Sequence, residues 1–160
     1  MSENTIESTN LPPSPLLDED LSGVDTSMPV IKGGITTEVE VVSVKPVENK
    51  DKTGQNLEIK VKTTTELIST KGEAISPGFP LTTWISLVPK TGRTDGKKEY
   101  TENDIRKAQA QFLESVEGKK TSMNPLERFT GMRAMVKVTT RAGTAEYPNE
   151  SNNITFIKKA

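Results

Sequence analysis

The stretch LEIKVKTTTEL, residues 57–67, alternates cleanly. Leu57, Ile59 and Val61 point to one face and Glu58, Lys60 and Lys62 to the other, the period of two that a half-buried β-strand requires. Upstream, ITTEVEVVSV after Gly34 is β-branched and nearly alternating, which predicts a strand over about 35–45, ended by Pro46. Between these two, NKDKTGQ supplies a polar turn with Gly54 available for a positive φ. Downstream, the Gly- and Pro-containing KGEAISPGFP leads into LTTWISLV, a third strand at 81–88 stopped by Pro89. In it Leu81, Thr83, Ile85 and Leu87 oppose Thr82, Trp84, Ser86 and Val88.

A polar loop, KTGRTDGKKE, precedes TENDIRKAQAQFLESVEG. Here Thr101 is placed as N-cap with Asp104 at N3, the two ends of a capping-box-like pair. Ile105, Ala108, Phe112, Leu113 and Val116 recur at helical spacing, and Gly118 suits the position just past the helix end. A shorter helix is predicted at 124–129, with Asn124 as cap and Pro125 at the first helical position. GMRAMVKVTTR at 131–141 alternates again, Met132, Ala134, Val136 and Val138 against Arg133, Met135 and Lys137. After Gly143 and the polar YPNESNN segment, ITFIK at 154–158 reads as a fifth strand. No internal repeat is visible.

The 160 residues suit one domain, and 32% hydrophobic content suffices for one compact core if part of the chain stays outside it. With no Cys and no His, disulfides, thiolate zinc sites and every imidazole-dependent catalytic arrangement are excluded by count. The N-terminus has neither a basic region nor an apolar stretch, and no run approaches the length of a membrane span, so a cytoplasmic protein with no membrane partner is expected. The net charge of −1 conceals a division: residues 1–29 hold six of the 22 acids and none of the 21 basic residues, leaving 21 basic against 16 acidic side chains and a net of +5 in the rest. Residues 1–29 carry too little apolar surface to offset ordering entropy and read as a disordered acidic tail. Within it, LPPSPLLDEDL would align Leu16, Leu17 and Leu21 on one helical face if it folded on a partner; the plainer reading is a solubilising tail. Residues 30–160 read as one domain.

Three strands, a helix and two more strands is the order of an OB-fold, a mainly β, five-stranded Greek-key barrel with one main helix between strands three and four. Over about residues 32–160 the chain resembles small phage-encoded single-stranded DNA-binding proteins of the OB-fold type. The likeness rests on KTGQNLEIKVKTTTE, PLTTWISL, the single amphipathic helix, and the ending from FTGMRAMVKV to NNITFIKK. It implies sequence-tolerant binding of single-stranded DNA in phage DNA replication or recombination, in the host cytoplasm, with oligomers possible. One departure stands out. In bacterial single-stranded DNA-binding proteins the acidic partner-recruiting tail is at the C-terminus, whereas here the acids lie at the front and the last residues read FIKKA. A replication or recombination protein could be recruited through the N-terminal acids instead.

Single-stranded binding needs cations to follow phosphates and flat side chains on which bases stack. The solvent-side strand positions supply Lys60, Lys62, Arg133 and Lys137, with Trp84 as the first stacking candidate because strands two and three commonly form the OB binding face. Loop residues Lys50, Lys52, Lys90, Arg93, Lys97, Lys98 and Arg141 extend the set. The competing reading is ordinary: alternating Lys is the solvated face of an antiparallel sheet, and a single Trp is as readily core or rim. Which face Trp84 takes depends on a one-residue register. The loop at 90–98 lacks the Walker spacing, so Gly92 and Gly96 read as turn residues. Asp95, Glu99, Glu102 and Asp104 are the only local acid cluster; capping explains Asp104, and no cofactor or metal is expected. No spacing favours catalysis, so the expectation is a non-enzyme. The alternative function is a structural or inhibitory protein-interaction module, such as a virion component or a host-enzyme antagonist.

Overall fold

The computed structural model describes residues 15–23, 28–48, 54–90, 92, 96, 98–143 and 150–160. The protein is mainly β. Among the described residues its strands are β1 (Ile35–Glu48), β2 (Gln55–Thr63), β3 (Leu67–Ile68), β4 (Ala74–Ile75), β5 (Pro80–Ser86), β6 (Arg133–Arg141) and β7 (Ser151–Lys159), with one α-helix, α1 (Glu102–Glu117), between β5 and β6. Five strands form an antiparallel sheet in the order β5-β2-β1-β6-β7, while β3 and β4 make a separate two-stranded ribbon.

The hydrogen-bonded ladder does not close into a barrel: β5 and β7 are the two edges. They approach one another, and α1 packs against both. Gln111 on α1 donates to the Phe156 carbonyl, so that acceptor on β7 is met by a side chain in place of a closing strand. The core lies between the sheet and α1, with Phe112 edge-on to Phe129 and Phe156 at centroid distances of 5.0 and 4.9 Å. Val39, Val41, Ile59, Val61, Val136 and Val138 complete it from the sheet, all essentially inaccessible to water.

The strand alternation at 57–63 and 133–138 and the helix are as the sequence predicts, but several boundaries differ. β1 runs through Pro46 to Glu48. Proline is tolerated there because β6 pairs β1 only over Ile35–Glu40, so beyond Val41 one side of β1 is an edge where no partner carbonyl needs the N–H that proline lacks. The β1–β2 register also shifts between Val41 and Ser43, leaving Val42 exposed and re-aiming the side chains beyond it. β2 stops at Thr63, short of Leu67. The Thr63 hydroxyl and backbone take up the Gly78–Phe79 backbone, and the chain turns away. KGEAISPGFP is more than a connector: the Ser69 hydroxyl accepts from the Lys71 and Glu73 N–H groups and nucleates the β3–β4 turn. β5 ends two residues before Val88, and β7 is longer than its predicted core at both ends. Gly54 has no positive φ; its missing side chain matters because a Cβ there would lie 2.1 Å from a Val88 methyl carbon.

At 124–129 Asn124 caps nothing. Leu126–Phe129 forms a single 3-10 turn preceded by an extended Pro125. The organiser is Arg128, whose guanidinium donates to the Ser122, Met123 and Pro125 carbonyls, pairs with Glu117 at 2.8 Å and covers the Phe129 ring at 4.2 Å. Wrapping the loop around that cation satisfies its carbonyls locally.

α1 begins in the predicted capping box: the Thr101 hydroxyl accepts from the Asp104 N–H, and the Asp104 carboxylate accepts from the Thr101 N–H at 2.8 Å. Gly118, at φ 77°, ends the helix in the left-handed region. Thr101→Ala is expected to lower stability by about 1 kcal/mol, read from the urea midpoint. The hydrogen bonds from Thr101 hold the Asp104 carboxyl below its ordinary value of 3.8. A depressed acid stabilises the fold above its unfolded pKa, and that contribution is lost as pH falls through the depressed value. The wild type should therefore lose more stability than Thr101→Ala when acidified from neutrality to below 3.8, the difference between them shrinking.

The body of the fold starts firmly at Ile31, which is fully buried. Its N–H and carbonyl are both held by the Asn152 side chain at 2.8 Å, and Thr140 also donates to the carbonyl. Of the segment read as an acidic tail, residues 15–23 and 28–29 are described. Pro15–Asp18 makes one 3-10 turn, and Leu17, Leu21 and Met28 are exposed. The rest of that segment lies outside the described residues. Among the described residues no helix is long and apolar enough to cross a membrane.

Candidate nucleic-acid interface

Strand register decides which side chains share the solvent face of the sheet. Glu58 stands opposite Trp84, Lys60 opposite Thr82, and Lys62 opposite Pro80 on one side and Glu40 on the other. Across β1, Glu40 faces Arg133, Glu38 faces Met135, and Thr36 faces Lys137. Trp84, Lys60, Lys62, Arg133 and Lys137 thus share one face, with Ile59, Val61, Ala134 and Val136 on the opposite, buried one. Adjacent strands are about 4.8 Å apart, so the face from β5 to β6 is roughly 14 Å wide.

Trp84 is 55% exposed, which settles its direction: it points away from the core. A large aromatic ring held in solvent at the middle of a strand is a platform on which another flat group can stack.

The cations around it are not bare, and this the sequence reading does not anticipate. Lys60 lies 3.6 Å from Glu58, Lys45 3.9 Å from the same oxygen, and Lys62 3.2 Å from Glu40. Arg133 reaches Glu38 at 3.1 Å and Glu40 at 3.7 Å. The three carboxylates are the less exposed partners throughout, with side chains 30, 24 and 16% accessible for Glu38, Glu40 and Glu58. Glu58 Oε1 is buried without a hydrogen bond. Glu38 also accepts from the Thr64 hydroxyl at 3.0 Å. Glu38, Glu40, Glu58 and Lys45 are therefore part of the face although sequence reasoning omits them. The available signal is position: EVE at 38–40 and EIKVK at 58–62 put acids in phase with the lysines.

The remaining candidates scatter. Lys137 stands between Thr36 and Thr155 on β6, and Arg141 is exposed at its far end opposite Ser151. Lys90 is exposed, and its backbone N–H and carbonyl pair with those of Tyr100, closing the base of the lysine-rich loop. Within the loop, the Gly92 N–H donates to Glu99. Burial, and then the nearby Asp104 charge, pushes the Tyr100 hydroxyl above its ordinary value. Lys98 is exposed and engaged in an interaction of its own. Lys50, Lys52, Arg93 and Lys97 lie outside the described residues. Beside Arg133, an open depression of about 570 Å³ is lined by Glu38, Val116, Lys119, Met132 and Lys159. Among the described residues no group of three or more acids is placed to hold a metal ion.

No protein-family model matches the chain, and a search of curated proteins gives no match.

Proposed function

We propose that this chain is a sequence-tolerant single-stranded DNA-binding protein with an OB-type fold, acting non-enzymatically and without a cofactor in phage DNA replication or recombination in the host cytoplasm. The observation that carries the reading is the exposed Trp84 ring on β5, which shares the solvent face of the sheet with Lys60 and Lys62 of β2. That combination offers stacking to unpaired bases and charge to the phosphates between them. The strand order β5-β2-β1-β6-β7, with α1 between the third and fourth strands of the sheet, supports the OB assignment, since that fold places its ligands on the face of its second and third strands. Lys90, Lys98 and Arg141, together with Lys50, Lys52, Arg93 and Lys97, would extend the phosphate path through the flanking loops.

The test is electrophoretic mobility of a labelled oligothymidine of about 30 nucleotides, titrated with protein at several salt concentrations. Retardation that weakens as salt rises, by roughly 0.7 log units per log unit of salt for each phosphate engaged, is expected. Unchanged mobility at every salt concentration contradicts the reading.

A second reading is favoured by the ion pairs on the same face. Cations already matched by Glu38, Glu40 and Glu58 suit contact with another protein, as in a virion component or a host-enzyme antagonist. A stable hetero-complex together with no nucleic-acid binding would favour it.

The acidic N-terminal segment, with Leu17 and Leu21 exposed beside Asp18, Glu19 and Asp20, would serve to recruit a replication or recombination protein. Tethered to a body of net charge +5, it also competes with DNA for the same cations. Removing residues 1–29 is expected to tighten oligothymidine binding about threefold or more at low salt, with the gain vanishing as salt screens the tail. Equal or weaker affinity of the truncated protein rules out the competition.

A further inference from the structure

We infer that Glu38, Glu40 and Glu58 set the preference of this face for single strands over duplex, by cancelling charge that would otherwise attract any phosphate backbone. This rests on the proposed DNA-binding reading and adds a role for side chains that touch no base.

The geometry puts each carboxylate against a cation of the candidate interface. Glu58 lies between Lys45 and Lys60, Glu40 between Lys62 and Arg133, and Glu38 beside Arg133. All three are set deeper than the cations they pair with, and Glu58 Oε1 makes no hydrogen bond. That buried oxygen has no hydrogen-bond partner but lies 3.6 and 3.9 Å from two ammonium groups. Its effect is electrostatic and is directed at the lysines.

The consequence follows from how the two nucleic-acid forms differ. Duplex DNA carries its phosphates at higher axial density than a single strand, and its salt dependence per phosphate contact is correspondingly steeper. An unopposed row of Lys45, Lys60, Lys62 and Arg133 would thus favour duplex. Stacking on Trp84 is open only to unpaired bases. When the carboxylates hold the cations, a phosphate must displace a tethered competitor to gain each one. The charge term shrinks for both forms, and the stacking term is left to discriminate.

The experiment compares the full-length protein with its Glu38→Gln/Glu40→Gln/Glu58→Gln variant. Glutamine keeps the shape and the Thr64 hydrogen bond, and a thermal melt checks that the fold is retained. Affinities are read by fluorescence anisotropy for a labelled oligothymidine and for a duplex of the same length. The variant is expected to bind both more tightly, by about 3–10-fold for the single strand and more than tenfold for the duplex, with the duplex salt slope steeper by about two units. The single-strand to duplex ratio then falls at least threefold. A ratio unchanged or raised, with the wild type binding oligothymidine, overturns this inference and leaves the function standing. A wild type that binds neither form overturns the function itself. If the triple variant fails to fold, Glu58→Gln, which releases two lysines at once, is read in the same way: a fall in the ratio supports the inference and no fall overturns it.

Discussion

Trp84→Ala is expected to weaken oligothymidine binding about 5- to 150-fold, the loss of roughly 1–3 kcal/mol that one base–aromatic stack contributes. The same substitution should leave the melting temperature nearly unchanged, because the ring is 55% exposed and lies on the side of β5 away from the core. Trp84→Phe should keep most of the affinity, since it preserves a flat face at reduced area. This pairing of a large binding effect with a small stability effect separates a platform from a packed residue. A variant that loses stability and affinity together would return Trp84 to a structural role, and one that loses neither would remove it from the interface.

Phe112→Ala is expected to have the largest effect on stability, about 3–5 kcal/mol, the usual cost of emptying a buried aromatic site. Phe112 is 1% exposed and is the ring through which α1 meets both Phe129 of the 3-10 turn and Phe156 of β7, edge-on in each case. Its removal opens a cavity and deletes two aromatic contacts, each worth about 0.5–1.5 kcal/mol beyond area burial. Because the ladder does not join β5 to β7, α1 is what spans that side of the sheet. Against a total stability of about 5–15 kcal/mol, the variant should be marginal or partly unfolded at 37 °C, with a sharply lowered urea midpoint. A loss below about 1 kcal/mol would mean that α1 is not packed against the sheet in this way.

What the sequence makes legible is whatever local periodicity and capping control. The alternation of Leu57 to Thr63 and of Arg133 to Val138, and the Thr101–Asp104 box with Gly118, specify their elements without reference to the rest of the chain. The passage of β1 through Pro46 is not legible in that way, because proline is harmless there only once β6 has left the edge of β1, a tertiary fact. Nor is the bulge at Val42, which interrupts an otherwise regular β-branched run. The loop around Arg128 likewise depends on a guanidinium meeting Glu117 from eleven residues away.

The candidate interface divides along the same line. That Lys60 faces outward follows from alternation within its strand, whereas the direction of Trp84 turns on a one-residue register and is decided by its 55% exposure. That Glu58 stands opposite Trp84 and between Lys45 and Lys60 depends on the registers of β1, β2 and β5, which no single strand specifies. A list of basic residues read from the chain therefore overstates the charge of the face: alternation puts Glu58 in phase with Lys60 and Lys62, but which cation each carboxylate meets is seen only when the sheet is assembled.

Trp84 is the protein's only tryptophan, so its own fluorescence reports on the proposed platform without any label. The most direct measurement is quenching of that emission on titration with an oligothymidine of about 30 nucleotides, at low and at high salt. Strong, saturable quenching at low salt, with affinity falling as salt rises, is the predicted result and sets the bases against the ring. No quenching at either salt, with the mobility of the labelled oligonucleotide also unchanged, would contradict single-stranded DNA binding by this face.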